Sequence, residues 1–228
     1  TITELYDDAL NEYNSLWSKQ INALPVTDCE IKSAHMPERY DNYLFPSINS
    51  SGDIFALNFS CDRKLTIGSI DNKGDYKAIR RIPYEVMYGM MMNERTLSSG
   101  GNKFLWRESV PDPRWGYKSY LDLKLYDSVS DETIWLSDKR RFIASVISEN
   151  GDRAVAIEYT RDLKYRISIF DIIMKKEIMS AEINENTHIF DPAISEDGKH
   201  VALASLSDNG NSLLLYNTET GKMTDLTG

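Results

Sequence analysis

Two hydrophobic rhythms divide this chain. Over residues 1–24 the apolar positions Ile2, Leu5, Tyr6, Ala9, Leu10, Tyr13, Leu16 and Trp17 recur every three or four residues, the spacing that gathers side chains on one face of an α-helix. Thr1 and Glu4 form a capping-box pair at its start, and Pro25 stops it. From residue 41 the rhythm shortens to a period of two, as in Leu123-Lys124-Leu125-Tyr126 and Ile167-Ser168-Ile169-Phe170. Alternation of this kind marks strands with one face on a sheet interface. Residues 25–40 read as a linker between the two regimes.

The strand region repeats itself. Ser50-Ser51-Gly52-Asp53-Ile54-Phe55-Ala56-Leu57 returns as Ser99-Gly100-Gly101-Asn102-Lys103-Phe104-Leu105-Trp106, then as Glu149-Asn150-Gly151-Asp152-Arg153-Ala154-Val155-Ala156, and last as Glu196-Asp197-Gly198-Lys199-His200-Val201-Ala202-Leu203. The anchoring glycines are 49, 50 and 47 residues apart, a period that identifies a repeat architecture. Each copy reads as four strands. The first precedes the glycine turn (Tyr43–Ile48, Phe142–Ile147, Ile189–Ile194). The second follows it, with small or β-branched residues suited to a crowded centre. The third ends on Asp or Asn, usually after an aromatic (Tyr126-Asp127, Phe170-Asp171, Tyr216-Asn217). The fourth is polar, as an outer edge should be (Lys77–Arg81, Glu132–Leu136, Glu177–Ser180, Lys222–Leu226).

Four strands per repeat of about 50 residues make the blade of a β-propeller. The predicted fold is therefore all-β, with an N-terminal amphipathic helix (1–24), a linker (25–40) and propeller repeats (41–228) whose blades span about 41–82, 85–137, 140–181 and 187–227. Ser195-Glu196-Asp197-Gly198-Lys199-His200-Val201-Ala202, with Asp191-Pro192 before it, resembles the repeat of TolB-type propellers. Similar repeats occur in the propellers of tricorn-like and prolyl-oligopeptidase-like proteases. The resemblance runs over residues 40–228, clearest in copies three and four and weakest around Ser98-Ser99-Gly100-Gly101. Most such propellers have six blades. The resemblance thus leaves two readings: four blades that close on themselves, or part of a longer propeller with unpartnered flanks, covered by the helix or by a second copy in a homodimer. It also implies a periplasmic or secreted setting.

Charge narrows the partners. The net charge of −9 disfavours nucleic acid, which demands basic surfaces, and Lys139-Arg140-Arg141 reads as a solvated loop. No stretch approaches the ~20 apolar residues of a membrane span. The helix carries an acidic polar face (Glu4, Asp7, Asp8, Glu12), whereas helices lying on membranes are basic there. Its aromatic stripe is expected to pack on the propeller or on an upstream domain. Cys29 and Cys61 could bridge in an oxidising compartment, but two cysteines make no disulfide framework, and free, partly buried thiols are the favoured reading.

Catalytic signatures are missing. The sequence holds no His-Glu-x-x-His and no Gly-x-Ser-x-Gly, and its glycines stand singly at turns. His35, His188 and His200 show no ligand spacing, and Asp71-Asn72-Lys73-Gly74-Asp75 is a hairpin turn lacking the rest of a calcium loop. No catalytic residue, metal or cofactor is assigned.

The informative segment is where the period fails. From turn glycine to closing acid takes 19 or 20 residues in copies one, three and four, but 26 in copy two. The surplus lies within Trp106-Arg107-Glu108-Ser109-Val110-Pro111-Asp112-Pro113-Arg114-Trp115-Gly116-Tyr117, whose tryptophans and arginines match an interaction hot spot. A similar Trp-Arg-Glu…Asp-Pro-Arg-Trp arrangement resembles TolB-like propellers that follow a metallopeptidase-like domain. The expected role is a non-catalytic binding module. Its face for a protein or peptide would be formed by Trp106, Arg107, Glu108, Asp112, Arg114 and Trp115, with Lys139, Arg140, Asn186 and His188 as neighbours. The alternative is an accessory or gating propeller of a peptidase whose catalytic domain lies outside this chain. A third class is an enzyme with its site in the central channel. Structurally, the bland counterpart is that Trp115 folds back as a plug, with Arg107 or Arg114 paired to Asp112.

Overall fold

The computed structural model describes residues 2–23, 41–49, 51–60, 63–83, 97–183 and 187–227. The 25–40 linker, residues 85–96 of the second repeat, Cys29, His35, Cys61 and Asn186 lie outside them. One helix, α1 (Ile2–Ala23), precedes four antiparallel sheets, each built from four consecutive strands paired in chain order. Blade one is β1 (Asp41–Ile48), β2 (Ile54–Ser60), β3 (Arg63–Ile70) and β4 (Tyr76–Arg81). Blade two is β5 (Leu97–Gly100), β6 (Lys103–Pro111), β7 (Ser119–Asp127) and β8 (Glu132–Trp135). Blade three is β9 (Phe142–Ile147), β10 (Arg153–Tyr159), β11 (Tyr165–Asp171) and β12 (Lys176–Glu182). Blade four is β13 (His188–Ile194), β14 (His200–Ser207), β15 (Gly210–Asn217) and β16 (Met223–Asp225). The all-β propeller expectation is met.

The repeated glycines are turn chemistry, and Gly151, with Gly100 beside the repeat glycine Gly101, is also packing chemistry. Gly151 sits at φ +77° and its turn rests against Gly100: a Cβ on Gly151 would lie 2.5 Å from the Gly100 carbonyl oxygen, and a Cβ on Gly100 1.9 Å from that of Ser148. The Gly101 amide donates across to Glu149 O at 2.7 Å. The unusual Ser-Gly-Gly of copy two is therefore where the turn of the next blade docks on it. In copy one, alignment on the glycine misplaces the second strand. The turn there closes with Asn49 N to Asp53 O, whereas in copy three it closes with Ser148 N to Arg153 O, one residue longer. Ile54 consequently takes the place of Ala154, pairing Ile48 as Ala154 pairs Ile147. A one-residue slip exchanges the two faces of a strand, so Phe55 and Leu57 point toward blade two.

Three cores hold the blades together. Phe55, Leu57, Leu65 and Ile67 meet Phe104, Trp106 and Tyr126 between blades one and two. Leu105, Leu123 and Leu125 meet Phe142, Ala154 and Phe170 between blades two and three. Val155, Ile157, Ile167 and Ile169 meet Val201, Leu203, Leu214 and Tyr216 between blades three and four. No such cluster joins blades four and one among the described residues. The two flanks outside these cores differ. On blade one, Tyr76 lies across Gly68, bonds Thr66 (Tyr76 Oη to Thr66 O, 2.8 Å) and meets the Tyr43 ring, covering the small residues beneath. On blade four, Phe190, Leu206 and Leu213 remain exposed. Helix α1 covers neither: its residues 6–23 are exposed throughout, with Tyr13 stacked on Trp17 at i, i+4. The expected packing of its stripe on the propeller is not found.

Candidate top-face site

The surplus of copy two is an extended hairpin rather than a single loop. The β10–β11 ladder ends at Tyr159↔Tyr165, while the β6–β7 ladder continues past the corresponding pair Ser109↔Leu121 to Val110↔Tyr120 and Pro111↔Ser119. Two extra rungs and a loop at 112–118 absorb the insertion. This corrects the expectation of one exposed loop over 106–117, because alternation along β6 sends its first residues into the core. Trp106 is 2% exposed and Arg107 3%. Trp106 Nε1 donates to Glu108 Oε2 (3.1 Å), and Lys124 Nζ donates to the same carboxylate (2.9 Å) while lying 4.1 Å from the Trp135 ring. Arg107 turns the other way, donating to the carbonyls of Phe142 and Ile143 on the innermost strand of blade three. Trp106 and Arg107 therefore join blades, Glu108 ties Trp106 to Lys124 within blade two, and all three are buried.

Beyond Pro111 the chain behaves oppositely. Asp112 organises the loop as an Asx cap: its Oδ1 accepts from the Arg114 amide (2.9 Å) and the Trp115 amide (3.3 Å), and its Oδ2 from Tyr120 Oη (2.6 Å), with Lys118 Nζ 3.5 Å away. The Asp112 amide and carbonyl-bearing Lys118 close the turn (Asp112 N to Lys118 O, 2.8 Å). Chiefly through the Tyr120 hydroxyl and the Arg114 amide, the Asp112 carboxyl is held down at about 2. The Lys118 ammonium is raised, first by Tyr120. Trp115 stands 66% exposed and Tyr117 fully so. Trp115 does not plug the blade, and neither guanidinium proposed for Asp112 reaches it: Arg107 faces blade three, and Arg114 contributes its amide.

The other expected residues divide similarly. Arg140 forks onto Glu158 (Nε 2.8 Å, Nη2 2.6 Å) and bonds Glu177 (3.0 Å), so its charge is spent inside blade three. His188 is exposed, its Nδ1 2.8 Å from Tyr165 Oη. A row of rings links it back to the hairpin: Tyr165 meets Tyr159 at 5.1 Å, and Arg141 lies 5.8 Å over Tyr159.

Sequence reading missed four contributors. Asp122, buried, accepts from Ser137 Oγ (2.6 Å) and from the amides of Lys139 (2.8 Å) and Arg140 (3.0 Å), fixing the connection into blade three. Tyr120 braces Asp112. Arg141 and Arg161 join Tyr117, Lys118 and Tyr120 around a cleft of about 590 Å³. Counting rungs in each hairpin would have placed Arg161, since the β10–β11 turn opens on the same face. A different cleft, about 320 Å³, lies between β9 and β13, lined by Ile143, Ser145, Phe190 and Asp191, and the buried Ser145 hydroxyl has no hydrogen-bond partner among the described residues. Among the described residues no group of three His, Cys, Asp or Glu is placed to hold a metal ion, and no helix is long and apolar enough to cross a membrane. Asp71 caps its own turn (Lys73 N, 2.8 Å; Asp75 N, 3.0 Å), as expected of a hairpin.

No protein-family model matches the sequence, and no curated protein does. Solved structures match the fold. TolB from Acinetobacter baumannii superposes with a TM-score of 0.59 at 15% identity, over 82% of this chain and 44% of that one. An oligogalacturonate lyase in complex with manganese gives 0.58 at 13% identity, over 82% and 53%. The β-propeller domain of the Trilobed protease from Pyrococcus furiosus, described as having an open velcro topology, gives 0.54 at 12% identity, over 85% and 59%. The chain spans less than half the length of that TolB. It has a TolB-like β-propeller fold, one shared by a lyase and by a protease's propeller domain, so function must be argued from the site.

Proposed function

We propose that this chain is a non-catalytic binding module whose top face, centred on the 112–118 loop, takes a peptide or protein partner. The observation that carries this is the exposure of Trp115 and Tyr117 on a loop whose backbone is fixed by Asp112, Tyr120 and Lys118. Solvent-facing aromatics on a braced scaffold offer large contact area at little ordering cost. Peptides selected from a displayed random library against the wild-type chain test it. They should lose binding to the Arg114→Ala/Trp115→Ala variant while its melting temperature stays within about 2 °C, as expected of surface changes. Retained binding, or a collapse of folding, rejects the reading.

A second reading draws on the exposed flank of blade four, where Phe190, Leu206 and Leu213 have no cover among the described residues, and on the likeness to a protease's propeller domain. In it the chain is an accessory or gating propeller of a multi-domain peptidase. The neighbouring coding sequence discriminates: a peptidase domain on either side selects it. The same flank would serve a homodimer, which a solution mass measurement at several concentrations tests. The likeness to TolB supports a periplasmic or secreted setting, to be checked by cell fractionation.

A further inference from the structure

The partner's chemistry can be read from the ground around the loop. Three segments converge on this face: the 112–118 loop, the 137–141 connection between blades, and the 160–164 turn. Together they carry seven basic residues (Arg114, Lys118, Lys139, Arg140, Arg141, Arg161, Lys164) against three acidic ones (Asp112, Asp138, Asp162), a balance of +4 in a chain of −9. These segments carry a local excess of positive charge, part of which (Arg140) is met by Glu158 and Glu177. Two clefts lie at the hairpin tip, about 590 Å³ beside Arg141 and Arg161 and about 450 Å³ beside Asp112, Arg114, Trp115 and Lys139. Both are lined by Lys118 and Tyr120, so they adjoin across these two side chains as one trough.

Several of these charges are uncommitted. Arg140 is spent on Glu158 and Glu177, and Lys118 is shared with Asp112. Arg114, Lys139 and Arg161 make no ion pair among the described residues. Arginine forks match carboxylates in a bidentate manner, and a cationic trough on an otherwise acidic protein steers acidic partners to one place while repelling them elsewhere. Nucleic acid fits less well, because the patch is short and the surrounding chain acidic.

From this arrangement we infer that the top-face trough binds an acidic peptide segment, its carboxylates on Arg114, Lys139 and Arg161 and an apolar side chain against Trp115. The inference rests on the binding role proposed above and names its partner class.

The test uses the whole chain and three fluorescein-labelled peptides: four repeats of Glu-Gly-Leu, and the same peptide with Gln or with Lys for Glu. The Glu peptide should bind at least about tenfold tighter than the Gln peptide, weaken about tenfold between 50 and 300 mM salt as screened charge pairs do, and lose to unlabelled oligothymidylate no more than to unlabelled Gln peptide. Arg114→Glu/Arg161→Glu, both at exposed positions, should reverse the preference toward the Lys peptide. That reversal separates charge recognition from any loss of folding. Equal binding of Glu and Gln peptides, binding that Arg114→Glu/Arg161→Glu leaves unchanged, absence of binding by all three, or tighter capture of oligothymidylate would each overturn the acidic-peptide inference. If library-selected peptides still depend on Trp115 in that event, the binding role stands without it.

Discussion

Trp106 and Trp115 sit nine residues apart on one hairpin and have opposite fates. Trp106 is buried between blades one and two with its indole N–H on Glu108; Trp115 projects into solvent from a loop whose amides are held by Asp112. Identical chemistry thus does structural work in one place and is left free in the other. What separates them is the end of the ladder at Pro111↔Ser119. Below it, side chains alternate between two neighbouring blades; above it, the loop borders open clefts and Trp115 stays exposed.

If that division holds, the largest effect belongs to Trp106→Ala, which removes a fully buried ring and leaves Glu108 without one of its donors. It should cost about 3–5 kcal/mol, read as a fall in melting temperature of about 6–20 °C for a chain of this size. Next comes Asp122→Ala. It strips the acceptor from Ser137 Oγ and from two backbone amides, and it should cost about 1–3 kcal/mol in chemical denaturation. It should also loosen the 137–141 connection, seen as faster amide exchange at Lys139 and Arg140. A result near zero for either variant would break the comparison from the structural side.

A smaller effect concerns pH. Because the folded carboxyl of Asp112 is depressed to about 2, its contribution to loop order is fully present above the unfolded value of about 3.9 and is lost as pH falls through about 2. The 112–118 loop should therefore keep its neutral-pH conformation at pH 4 and release it near pH 2. The amide chemical shifts of Arg114 and Trp115, whose N–H groups Asp112 accepts, would follow this. A transition centred above pH 4 would show that Asp112 is not the brace. Tyr120→Phe, which removes the hydroxyl that contributes most to holding the carboxylate ionised, should move the transition upward in pH.

Much of the architecture was readable from sequence, because its determinants are local: glycine turns, period-two alternation and closing Asp or Asn residues recur at fixed distances. The site was readable only in outline. Chain length showed that copy two carries extra residues, but not how a hairpin would divide them between rungs and loop. That division is what buries Arg107, an arginine whose hydrogen-bonding carbonyls belong to the next blade. Arg141, read only as part of a solvated loop, and Arg161, not singled out at all, were missed as site residues because their nearness to Tyr117 depends on the packing of successive blades, which no local pattern reveals. The same holds for helix α1: its stripe was legible, but whether the propeller covers it was not. Copy one adds a caution, since a single missing residue after Asn49 shifts its second strand against the glycine frame.

The most direct test of the central claim, that the hairpin tip is a binding element separable from the fold, is a paired measurement on Arg114→Ala/Trp115→Ala: thermal melting alongside affinity for a library-selected peptide. The melting temperature should stay within about 2 °C of wild type while affinity falls at least about tenfold. A melting temperature lowered as far as that of Trp106→Ala, or an affinity left unchanged, would contradict the claim.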